Sequence, residues 1–389
     1  MNILNRVQAC LEQAVANHEC AGMSVLVRKG GREAFFAAAG HADVAAGKPV
    51  ERDSIFRLYS QSKPITAAAA MILMERGQLD LMDAVENFLP GFRGQQVWTP
   101  EGPVPAARPV WVMDLLGMTA GVAYPDADPV GQETAKLFME NHELMLKGGG
   151  MGTVAFCDAM GQIPLTFQPG SHWRYSTCAD ILGAVIEVVS GRPFDVFLKE
   201  EIFTPLGMVD TGFWVPQEKQ HRFVTAYKRI PGGLEPYHGL HLAVGDYSRR
   251  PAFCSGGAGL VSTLDDYAAF AQMLLNGGEY RGKRILRPDT VGFMTQGQLL
   301  STPLNDMWDS LKGYNYGKLM RVCEEPGRWA GVTRLGEYGW DGWLGSYFAN
   351  FPNEQLTILS MQNTTDTGTS AAMRKIRNVI LAADSNGEI

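Results

Sequence analysis

Ser60 and Lys63 stand three residues apart in Phe56-Arg57-Leu58-Tyr59-Ser60-Gln61-Ser62-Lys63, where the sequence turns helical. At helical spacing both side chains share one face, one turn apart. A serine hydroxyl is a weak nucleophile until a base removes its proton. A lysine one turn on can be that base if burial and neighbours lower its pKa. Kept charged, it stabilises an alkoxide or a phenolate instead. The helix N-terminus adds backbone N–H groups and the positive end of a dipole. Any Ser-rich helix start can produce this tetrad, so it needs partners elsewhere in the chain.

Tyr175 is one candidate, in Pro169-Gly170-Ser171-His172-Trp173-Arg174-Tyr175-Ser176-Thr177. A tyrosine just ahead of a helix can sit at a cleft edge. Near cations its phenol pKa would fall, and it could relay a proton between the serine and a leaving group. A third segment, Tyr338-Gly339-Trp340-Asp341-Gly342-Trp343-Leu344-Gly345-Ser346-Tyr347, leads into a strand. Its glycines allow close backbone approach to a bound group. A strand-edge N–H aimed at the serine, with the N–H of Ser60, would form an oxyanion hole.

Positioning these groups falls to elements at both ends of the chain. Asn2–Asn17 carries Ile3, Val7, Leu11 and Val15 on one helical face. Gly22–Arg28 and Glu33–Ala39 read as strands around the hairpin Lys29-Gly30-Gly31-Arg32. Gln61–Arg76, Thr177–Ser190 and Leu264–Asn276 read as helices, the last with Thr263 as N-cap. Trp343–Phe351 and Leu356–Gln362 alternate like strands, and Ser370–Ala382 closes the chain as a helix. The expected class is α+β. One antiparallel sheet is built from both chain ends and flanked by helices, with a mainly helical lobe inserted between. Residues 1–65 and 250–389 are expected to form the sheet domain and 66–249 the insertion, with the active site at their interface.

The 389 residues are 46% hydrophobic and 19% charged, enough for a sizeable core. The net charge of −7 and the absence of a Lys/Arg cluster give no footprint for nucleic acid. No apolar run is long enough to span a bilayer, and the N-terminus lacks a secretory pattern. Six scattered cysteines form no CxxC pair and read as reduced thiols of a cytoplasmic protein.

Taken together, the motifs resemble the penicillin-recognising serine hydrolases, especially class C β-lactamase-like proteins and family VIII carboxylesterases. The resemblance spans nearly the whole chain. It runs through Ser60-x-x-Lys63, Gly77-Gln78-Leu79-Asp80, Leu115-Leu116-Gly117-Met118-Thr119, Pro169-Gly170-x-x-Trp173-x-Tyr175, Gly256-Gly257-Ala258-Gly259-Leu260 and Trp340-x-Gly342. It implies a β-lactamase/DD-peptidase-like fold and Ser60 as nucleophile, with Lys63 and Tyr175 as its proton-transfer network. The N–H groups of Ser60 and Trp343 would form the oxyanion hole. Trp340, Asp341 and Gly342 would line the acyl pocket, with Tyr124 also among the substrate-binding residues. No metal or cofactor is implied, and the partner is a small-molecule ester.

The chain departs from the β-lactamase pattern at two places. Tyr175-Ser176-Thr177 replaces Tyr-x-Asn, so the amide that contacts an acylamino side chain is missing. Trp340-Asp341-Gly342 replaces Lys-Thr-Gly. An aromatic and an acid there would disfavour anionic β-lactams and favour neutral esters. Amide hydrolysis or transacylation on the same scaffold is the alternative, and a non-catalytic binding protein a further one. No serine has the Gly-x-Ser-x-Gly context of an α/β-hydrolase. His142-Glu143 is not followed by a second histidine at zinc-site spacing, and His238/His241 have no third ligand nearby and read as loop residues.

Overall fold

The computed structural model describes residues 2–389. Alternation of side chains along the terminal strands decides the layering. Val25 and Val27 of strand β1 (Gly22–Lys29) face one core, and Leu26 faces the other. Beside β1 runs β2 (Arg32–Asp43), and a short β3 (Lys48–Pro49) follows it. The other five strands come from the C-terminal part: β4 (Tyr314–Tyr316), β5 (Arg321–Cys323), β6 (Tyr338–Asp341), β7 (Tyr347–Phe351) and β8 (Leu356–Gln362). They join in the order β4-β5-β6-β7-β8-β1-β2-β3, every neighbour antiparallel. The two chain ends thus meet at the β8–β1 pairing, as the α+β expectation required.

Helix α1 (Ile3–Ala16) covers one face of the sheet. The C-terminal helix, which becomes α5 (Ala371–Ser385), covers the same face. Val7, Leu11 and Ala14 meet Met373, Ile376 and Ile380 over Val25 and Val27. The other face is packed by α4 (Leu264–Leu275), whose Tyr267 ring lies 5.5 Å edge-on to Phe348. Beyond it are α2 (Ser62–Glu75) and α3 (Cys178–Ser190). Helix α2 is buried on every side from Ser62 to Leu73, and its Ala67–Ala70 run lets neighbours approach closely. The helix ends match the sequence signals. The side chains of Asn2, Thr263 and Ser370 cap α1, α4 and α5, and Gly191 closes α3 in the left-handed conformation.

One expected strand is corrected. Trp343 does not begin a strand: residues 342–346 form the turn between β6 and β7, and β7 starts at Tyr347. Gly342 N–H donates to Ser346 O at 2.8 Å and Gly345 N–H to Gly342 O at 2.9 Å. This turn lies against the segment that precedes Ser60. Ser346 Oγ donates to Leu58 O at 3.1 Å. Leu58 N–H in turn donates to Leu260 O at 2.8 Å.

A Cβ on Gly342 would fall 2.2 Å from Leu58 O and 2.3 Å from Ser346 Oγ. Neither can yield without breaking those bonds. Gly342→Ala should therefore cost about 1–3 kcal/mol of stability, as overpacking does. Thermal denaturation checks this, and an unchanged midpoint would show that the turn gives way freely.

Candidate active site

Phe56–Arg57 pairs with Val261–Ser262 and delivers the chain to Tyr59. Tyr59 has φ of 46°, a left-handed conformation that a bulky residue rarely holds. A single 3₁₀ turn, Tyr59–Gln61, then leads into α2. Ser60 is thereby set at a sharp bend, partly open to a cavity of about 510 Å³.

Lys63 is fully buried beneath it. Its Nζ lies 3.1 Å from Ser60 Oγ, 3.1 Å from Tyr124 Oη and 2.9 Å from Gly257 O. Burial pushes its pKa down to about 7, against a smaller upward pull from Asp180. A neutral amine has two hydrogens and one lone pair. The Gly257 carbonyl can only accept, so it takes one hydrogen. With the other on Tyr124 Oη, the lone pair faces the Ser60 hydroxyl, which is the geometry of a base.

Tyr175, just ahead of α3, is corrected in its electrostatics. Burial raises its phenol pKa, and hydrogen bonding with Ser60 and Trp340 offsets this only in part. The expected fall needed cations beside the phenol. Lys63 Nζ is 4.5 Å from the Tyr175 ring centroid, but the other close partner is a neutral indole. That indole is Trp340, whose Nε1–H donates to Tyr175 Oη at 3.0 Å. Tyr175 is therefore a proton donor at neutral pH.

Asp341 is also corrected, because it does not stand in the cleft as a bare acid. Its carboxylate is bound by buried Arg321 on one oxygen and by the Thr369 hydroxyl on the other. Tyr124, expected as a substrate residue, lines the cavity and is also a partner of Lys63. Thr177 is 1% exposed and its hydroxyl turns to Ala123 O at 3.5 Å, so nothing from this position reaches the cavity that holds Ser60. The Ser60 and Trp343 N–H groups donate to no acceptor among the described residues.

Some contributors were missed in the sequence. Buried Asp180 accepts from Ser255 Oγ at 2.5 Å and from Gly257 N–H at 3.0 Å, so it fixes the carbonyl that holds Lys63. A Cβ on Gly257 would lie 2.9 Å from Asp180 Oδ2 and 3.1 Å from Tyr124 Oη. The Gly256-Gly257 pair was the available signal for this. His241 is more than a loop residue, for it lies in the cavity wall. No cluster of metal-ligating side chains occurs among the described residues.

Residues 7–383 match the Beta-lactamase family. The chain belongs to that family. A Mycobacterium tuberculosis protein, Rv1367c, is 31% identical over 359 residues, which is 88% of this chain and 86% of that one. Esterase EstB of Burkholderia gladioli is 28% identical over 386 residues, 95% of this chain and 92% of its own. Among solved structures, EstCE1, described as a hydrolase with promiscuous acyltransferase activity, superposes with a TM-score of 0.83 at 27% identity. That match covers 97% of this chain and 98% of the other. The protein is a serine hydrolase of this β-lactamase-like superfamily, and the fold and resemblance read from its motifs hold.

For this β-lactamase-family hydrolase the amine of Lys63 must be neutral to take a proton. With Lys63 as the proposed base, protonation below its pKa removes that base and activity is lost as pH falls. With the pKa at about 7, kcat/KM for a neutral ester should drop about tenfold per pH unit below that value and level off above it. A pH–rate profile checks this, and a flat profile through neutrality would contradict it.

Proposed function

We propose that the protein is a carboxylesterase that works through an acyl-enzyme on Ser60. The observation that carries this reading is the Ser60–Lys63–Tyr175 arrangement opening on a cavity walled by Trp308, Trp329, Trp340 and Trp343. Neutral Lys63 takes the Ser60 proton as Oγ attacks the ester carbonyl. The N–H groups of Ser60 and Trp343 hold the oxyanion. The ester C–O bond breaks, and the leaving alkoxide takes the Tyr175 proton, which the Lys63 ammonium restores. Water then attacks the acyl-enzyme by the same steps in reverse.

The cavity favours neutral substrates. Its aromatic walls reward apolar acyl groups at about 25 cal/mol per Å² buried, with roughly 0.5–1.5 kcal/mol more for aromatic ones. Asp341 and Arg321 neutralise one another, and an indole stands at Trp340 where β-lactamases carry a lysine. These features support short- to medium-chain or aromatic esters, with weak β-lactam turnover at most. Transfer of the acyl group to an alcohol uses the same intermediate, and the likeness to EstCE1 favours it as a second activity. Among the described residues no helix is long and apolar enough to cross a membrane. Five buried thiols among six free cysteines suit a reducing, cytoplasmic setting.

A panel of p-nitrophenyl esters, nitrocefin and a D-alanyl amide tests the reading. Neutral esters should be preferred by more than about tenfold in kcat/KM. Amide turnover equal to or above ester turnover would replace it with the amidase reading.

A further inference from the structure

Two neighbouring residues, the first of them in the cleft wall, hold a backbone conformation that their side chains disfavour. Leu242 and Ala243 have φ of 55° and 58°. Reciprocal bonds close the turn around them: His241 N–H donates to Val244 O at 3.2 Å, and Val244 N–H to His241 O at 3.1 Å. Two-residue turns with both φ positive are ordinarily built from Asn-Gly or Asp-Gly. With leucine and alanine in their place, each position stores strain.

What the turn achieves is the placement of His241. Its imidazole stacks on the Trp343 indole, centroids 3.9 Å apart and planes 24° apart. The Tyr59 ring lies 5.6 Å from His241 and 5.0 Å from Trp343, and Tyr237 meets Trp343 edge-on at 5.4 Å. The indole is tied at its nitrogen, where Nε1–H donates to Asp366 Oδ1 at 2.7 Å. His241 Nδ1 is buried without a partner, so the ring packs on that side and does not hydrogen-bond. The acyl-transfer steps do not use it.

Trp343 carries one of the two proposed oxyanion donors, and Tyr59 immediately precedes Ser60, which carries the other. One aromatic cluster therefore grips the backbone on both sides of the hole. We infer that His241 is a positioning residue whose stacking on Trp343 fixes the aim of the Trp343 N–H relative to that of Ser60. The inference rests on the proposed assignment of those two donors. Donors act on the transition state through their preorganised aim. A loosened stack therefore lowers turnover while the substrate still docks.

The test compares His241→Ala, His241→Leu and His241→Phe with wild type on p-nitrophenyl butyrate. Each is also labelled with a fluorophosphonate, with the adduct mapped, and thermally denatured. His241→Ala and His241→Leu should lose about 10–100-fold in kcat, with KM within about threefold. His241→Phe stacks without a ring nitrogen and should recover most of kcat. Should the alanine variant unfold, the leucine and phenylalanine pair carries the comparison. Phenylalanine no faster than leucine would overturn the stacking role, and so would an alanine variant with unchanged kcat. If Ser60 of the wild type takes no label, the acyl-enzyme reading itself fails. Labelled Ser60 with indifferent His241 variants defeats this inference alone.

Discussion

The buried amine of Lys63 is the constraint around which the site is arranged. In water a lysine one turn from a serine would hold its proton and be useless as a base. Here desolvation outweighs the attraction of Asp180 and brings the pKa to about 7. That balance needs both parts. Without burial the amine stays charged. Without a carbonyl acceptor and a hydroxyl to hold it, a buried amine would be an unsatisfied polar group. Gly257 O and Tyr124 Oη supply the partners, and Asp180 holds the Gly257 backbone in place.

Burying Lys63 so completely depends on α2 running through the centre of the molecule, with small residues facing its neighbours. The same centrality explains how distant segments converge on one cavity. The β6–β7 turn rests on Leu58 through Ser346, and Leu58 rests on Leu260. Backbone from three parts of the chain is thus locked within hydrogen-bond reach around Ser60. Tyr175 receives its orientation from Trp340 on β6. Burial keeps that phenol protonated, so in the proposed acylation Lys63 takes the serine proton and Tyr175 gives one to the leaving group.

Local signals in the sequence carried the helices and their caps, because Asn2, Thr263, Gly191 and Ser370 act within a turn of their own position. The Ser60–Lys63 relation was legible for the same reason. Short strands Tyr314–Tyr316 and Arg321–Cys323 were not, since only pairing with each other and with β6 makes three residues a strand. The Arg321–Asp341 pair joins residues twenty apart in sequence across that same sheet, so Asp341 read as a bare acid. The phenol of Tyr175 was misjudged because the burial that raises its pKa comes from tertiary packing. His241 could not be read as anything but a loop residue, for its place depends on a strained turn that leucine and alanine do not announce.

Intact-protein mass spectrometry of a rapidly quenched p-nitrophenyl ester reaction tests the central claim most directly. The account predicts a population heavier by one acyl group, with the adduct mapping to the peptide that contains Ser60 and missing from Ser60→Ala. An adduct on any other residue, or steady turnover by Ser60→Ala at the wild-type rate, would contradict it.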